Sequence, residues 1–149
     1  MNDKVSTPTT TAAFNPAADG WAIQETSEFP NMAGPFWMRE EGQHLRLAFV
    51  VERKHLNRAS NVHGGMLMTF ADQVMALTGR RATGDKRHAT IELNIQFVGA
   101  VHLGDFVVAQ AEVVRTTRSV TFMRATMYVG SRIVATTSGI WKILEKGAD

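Results

Sequence analysis

Asn61-Val62-His63-Gly64-Gly65-Met66-Leu67-Met68-Thr69-Phe70-Ala71-Asp72-Gln73-Val74-Met75-Ala76-Leu77-Thr78-Gly79-Arg80 is the stretch that decides the fold. Between Met66 and Arg80, residues Leu67, Phe70, Ala71, Val74, Leu77 and Thr78 recur at helical spacing and define one core-facing stripe. Asp72 lies off that stripe, with Met68, Met75, Ala76 and Gly79 as its neighbours on the helical wheel, so a second face is also largely apolar. Such a helix expects protein on two sides. Asp72 is the only acidic residue between Glu52 and Asp85, and acidic side chains are seldom buried unless paired or used. Two readings are open: a solvated helix residue behind a flexible glycine turn, or a general base or nucleophile. Glycines ahead of a helix let backbone N–H groups approach a ligand at the positive end of the helix dipole. A thioester or ester carbonyl oxygen gathering negative charge would accept those N–H groups.

Working outward, Leu45, Leu47, Phe49 and Val51 alternate with Arg46, Ala48, Val50 and Glu52 and predict a strand, with Phe36 to Glu40 pairing to it across Glu41-Gly42. After the helix, Ala89, Ile91, Leu93, Ile95 and Phe97 alternate with Thr90, Glu92, Asn94 and Gln96, the clearest strand in the chain. Three more β-rich runs, Phe106 to Thr116, Ser119 to Val129 and Ile133 to Leu144, are separated by short breaks and so predict antiparallel neighbours. An antiparallel sheet curled around one central helix satisfies the pattern, since the sheet supplies the wall the helix needs. Residues 1–19, rich in Thr, Ala, Pro and Asn, read as a disordered leader, and residues 20–149 as one domain.

The 149 residues contain no cysteine, which excludes a disulfide framework, a thiol nucleophile and cysteine-type zinc sites. His44, His55, His63, His88 and His102 lack the spacing of a metal site, so none is expected. A net charge of +2 predicts no nucleic-acid binding. No apolar run reaches transmembrane length and no targeting pattern opens the chain, so a soluble, cytoplasmic protein without a membrane partner is expected.

The stretch Arg53-Lys54-His55-Leu56-Asn57, then His63-Gly64-Gly65, then Phe70-Ala71-Asp72, together with the helix and strand order, resembles the hotdog-fold acyl-coenzyme A thioesterases, in particular the PaaI-like branch. The resemblance runs from about Pro35 to Leu144 and implies an α+β hotdog fold, an antiparallel sheet wrapped around one long central helix. It implies that Asp72 is general base or nucleophile, that the Gly64 N–H polarises the carbonyl, and that Asn57 helps place it. His63 would shape the turn, and Thr90, supplied by the partner subunit, would hold the attacking water. Gly65, Met68, Arg118 and Ser119 would line the substrate. The substrate implied is an acyl-coenzyme A, no cofactor is needed, and a homodimer assembling into a homotetramer is expected. A non-catalytic acyl-coenzyme A binding protein and an enoyl-coenzyme A hydratase or dehydratase are the alternatives. One departure stands out: relatives carry glycine three positions before the histidine, where this chain has Ser60.

Overall fold

In the computed structural model, which describes residues 14–145, two short elements, β1 (Ala22–Ile23) and α1 (Glu28–Ala33), precede the hairpin of β2 (Trp37–Glu41) and β3 (His44–Val50). The long helix α2 (Gly64–Ala82) follows, and then β4 (His88–Phe97), β5 (Phe106–Thr116), β6 (Val120–Val129) and β7 (Arg132–Ile143). All seven strands form one antiparallel sheet in the order β1-β2-β3-β5-β6-β7-β4, wrapped around α2. Gly42, at a positive φ of 61°, makes the tight turn between β2 and β3 that the sequence marks at Glu41-Gly42.

The core forms where α2 meets the inner face of the sheet. Leu67, Phe70, Ala71 and Val74 are buried, as their spacing requires, and Phe70 stacks on Phe36 and meets Phe49 edge-on. Truncating a fully buried phenylalanine of this kind to alanine costs about 3–5 kcal/mol. The stripe is rotated from the one read in the sequence. Met75 and Gly79 are buried while Leu77 and Thr78 are only half-buried, because Gly79 brings the last turn of α2 against Met123 and His88 on the sheet. Half of the face assigned to Asp72 is thus satisfied within the chain, which leaves Met68 partly exposed beside the carboxylate. The helix also begins earlier than the periodicity suggested: Gly64 and Gly65 are its first two residues.

At the N-terminus the described part of the expected leader is ordered. Pro16–Asp19 is a 3₁₀ turn capped by the Asn15 side chain, and Phe14 packs on Phe106, so local capping and one aromatic contact overcome a composition that argued for disorder. Residues 1–13 lie outside the described residues.

β4 departs most from simple alternation. Its register against β7 pairs Thr90 with Trp141 and Glu92 with Ile140, so Ile91 is the extra residue of a β-bulge. Leu93 and Ile95 face the helix as expected, but beyond the bulge the phase inverts. Thr90, placed by alternation on the polar outer face, turns inward beside the buried Trp141, and Ile91 is left 58% exposed. β4 pairs only with β7, so its other edge is open.

Candidate active site

The N-terminus of α2 is built around one unpaired donor. His63 is the N-cap, and its Nδ1 accepts the Gly65 N–H at 2.9 Å. The His63 carbonyl accepts the N–H groups of Met66 at 2.9 Å and Leu67 at 3.4 Å. Of the four N–H groups that a helix start leaves without an intrahelical partner, only that of Gly64 finds none among the described residues. Gly65 therefore has its N–H committed to the cap. The His63 Nδ1 supplies the lone pair for the same bond, which places the ring hydrogen on Nε2. A Cβ on Gly65 would approach His63 Nδ1 to 3.0 Å, so this position stays bare for the capping ring.

Asn57 sits at the other side of the same opening. Its Oδ1 accepts the N–H groups of Ala59 at 2.9 Å and Asn61 at 3.2 Å, the asparagine turn that sequence alone could not separate from a functional role. Both readings are compatible here, because the turn occupies Oδ1 and Nδ2 has no partner among the described residues. Asn57 and Gly64 line one open cleft of about 470 Å³ with Leu67, Phe97 and Val101. Phe97, which the alternation pattern read only as a strand residue, lies over Gly64: a Cβ there would come within 2.9 Å of the ring. Nothing in the sequence marks that contact.

Ser60 explains the departure at the turn between Asn57 and His63. Its φ is 61°, in the left-handed region where glycine is at ease and a side chain is strained. Ser60→Gly is expected to raise stability by about 0.5–1 kcal/mol, read as a higher urea midpoint with unchanged slope.

Asp72 lies farther along the helix. The bulge in β4 brings Thr90 to it, and Thr90 Oγ1 donates to Asp72 Oδ1 at 2.6 Å. Within one chain, then, Thr90 and Asp72 form a pair. Gly64 and Asp72 are eight residues apart, about 12 Å along the helix axis at about 1.5 Å per residue. An oxyanion donor and a base acting on one carbonyl flank it at about 3 Å each. Along one chain the two groups stand farther apart than a donor and a nucleophile that both touch one carbonyl.

Arg118 and Ser119 occupy the turn between β5 and β6. They stand at the end of the sheet nearer Thr90, since Thr121, Trp141 and Thr90 lie at one level across β6, β7 and β4. Neither side chain hydrogen-bonds another site residue among the described residues. Met68 is 36% exposed, four residues before Asp72. The larger cavity, about 800 Å³, lies on the outer face of the sheet among Trp21, Arg39 and Phe106 and contains none of these groups. Among the described residues no cluster of metal-binding side chains occurs, and no helix is long and apolar enough to cross a membrane.

Two histidines set an acid limit on stability. Burial pushes both His55 and His88 below the ordinary value of 6.5, with Lys54 adding to the effect at His55 and Arg80 at His88, against hydrogen bonds to the Ala33 and Lys86 carbonyls. The unfolded chain then binds the more protons, so their contribution is complete above about pH 6.5 and is lost as pH falls below it. Tm is expected to be flat above about pH 7 and to fall on acidification below about 6.5. A His55→Gln, His88→Gln double variant should show a shallower fall over the same window.

One antiparallel sheet wrapped around a long central helix is the hotdog fold. Within that class the chain belongs to the thioesterase superfamily, whose sequence model matches residues 59–136. A proposed esterase of Pseudomonas aeruginosa is 29% identical over 121 residues, covering 79% of this chain and 90% of its own. A mutant form of the phenylacetic acid degradation protein PaaI from Thermus thermophilus superposes with a TM-score of 0.70 at 21% identity, covering 78% of this chain and 98% of that one. A Streptococcus mutans protein solved with acetyl-CoA bound gives 0.69 at 22% identity, covering 83% and 97%. These two structural likenesses concern the fold.

Proposed function

We propose that the protein is an acyl-coenzyme A thioesterase of the PaaI-like branch whose active site is shared between two copies of the chain. The observation that carries this reading is the N–H of Gly64, without a partner among the described residues, set in one cleft with Asn57, whose Oδ1 is held in the turn and whose Nδ2 is left to donate. Both are donors, and both suit an oxygen that gains charge as a thioester is attacked. The separation of about 12 Å within a chain is resolved by a second copy. β4 is an open edge strand, and Ile91, Phe97 and Val98 along and just beyond it are each more than half exposed. Edge-to-edge pairing of β4 with β4 would lay the two α2 helices antiparallel and bring the partner's Asp72 toward Gly64.

In this arrangement Gly64 and Asn57 hold the carbonyl oxygen. The partner's Asp72, with the partner's Thr90 bonded to it, deprotonates water or attacks the carbonyl carbon to form an anhydride that water then opens. The products are free coenzyme A and a carboxylic acid. That a structural relative carries acetyl-CoA is in keeping with this substrate class. The test is thiol release from a panel of acyl-coenzyme A substrates of different chain length. Release by the purified protein is the expected result. Tight acyl-coenzyme A binding without release, or hydration of crotonyl-coenzyme A without release, would overturn it in favour of a binding protein or a hydratase.

A further inference from the structure

His55 is 3% exposed, one of few buried polar side chains among the described residues, and it takes no part in the chemistry above. It joins three segments. Its Nδ1 faces the Glu52 N–H at 3.0 Å and so carries the lone pair; Nε2 then carries the hydrogen and donates to the Ala33 carbonyl at 2.7 Å, at the C-terminal end of α1. Its own carbonyl accepts the His63 N–H at 2.8 Å, which is the N-cap of α2. The ring stands edge-on to Phe49 in the core, with centroids 5.3 Å apart.

From His55 the chain runs into a small antiparallel loop. Leu56 bridges to Val62, and the Asn57 N–H donates to the Asn61 carbonyl at 2.7 Å. The tip of this loop, residues 57–60, is exposed and contributes no side chain to the core. Both arms that bear on the carbonyl, Asn57 on one strand and Gly64 just past the other, hang from the same buried base.

We propose that His55 is a positioning residue for the thioester carbonyl: it fixes the base of the loop carrying Asn57 and Gly64, and so governs kcat and not substrate affinity. This rests on the thioesterase reading above. Two hydrogen bonds hold the ring, and each can be removed alone. His55→Asn keeps an acceptor where Nδ1 stands and loses the bond to Ala33; His55→Gln keeps a donor where Nε2 stands and loses the bond to Glu52.

The experiment measures kcat, KM and Tm of both variants beside the wild type, with hydrogen exchange read separately at residues 57–64 and in β5 to β7. Expected is a fall in kcat of about 10- to 100-fold with KM within about twofold, the cost of misplacing a catalytic donor. Faster exchange at residues 57–64 with unchanged protection in the sheet should accompany it. Folded variants that lose Tm but keep wild-type kcat would overturn the proposal and leave His55 a stability residue. A rise in KM at constant kcat would overturn it as well. No turnover by the wild type itself would remove the thioesterase reading, a failure separate from unchanged kcat in variants of an active enzyme.

Discussion

Asp72→Asn is expected to lower thioester hydrolysis by about 10²- to 10⁴-fold while leaving the fold and Tm nearly unchanged. The substitution keeps the shape of the side chain and an oxygen at the position that accepts from Thr90 Oγ1, so the helix and β4 keep their contact. What it removes is the negative charge, and with it the capacity to take a proton from water or to attack carbon. The residual rate would come from Gly64 and Asn57, which still polarise the carbonyl. Thiol release by purified variant and wild type decides the matter. A variant that hydrolyses normally would show that Asp72 is not the base or the nucleophile.

The second large effect is a gain of activity on mixing two inactive proteins. Asn57→Ala removes a donor from the carbonyl side and Asp72→Asn removes the base, so each homodimer is impaired at both of its sites. In a mixed dimer of the proposed kind, one site receives both defects and the other receives none. Random reassortment should therefore restore about a quarter of wild-type activity, because half of the pairs are mixed and each holds one intact site of two. A site confined to one chain predicts no recovery, since every chain would still carry a lesion. The comparison requires unfolding and refolding the two variants together, with each refolded alone as the reference.

The sheet and the helix were largely legible in the sequence because their signals are local. Alternation in β3 and β5 to β7 and the 3.6-residue stripe of α2 follow from side-chain geometry within one element. The Asp72 and Gly64 candidates stood out for a related reason: a lone carboxylate and paired glycines are anomalies against an apolar run. What the sequence could not supply were contacts between elements. The inward turn of Thr90 depends on register against β7, the cover over Gly64 on where the end of β4 meets the start of α2, and the His55 base on a carbonyl 22 residues away. Even the rotation of the α2 stripe arises from Gly79 meeting Met123, a packing choice that no single-helix pattern contains.

The bulge at Ile91 has a consequence for how this chain tolerates change. Thr90 reaches Asp72 because β4 holds one residue more than its pairing requires, so the contact depends on a count of residues as well as on their identity. Within one chain the Ile91 side chain is exposed, so the fold of that chain depends less on which residue stands at 91 than on one being there. Deleting that same residue would return Thr90 to the outer face without altering any group named in the chemistry. Natural variation here should accordingly resist insertions and deletions between Thr90 and Glu92.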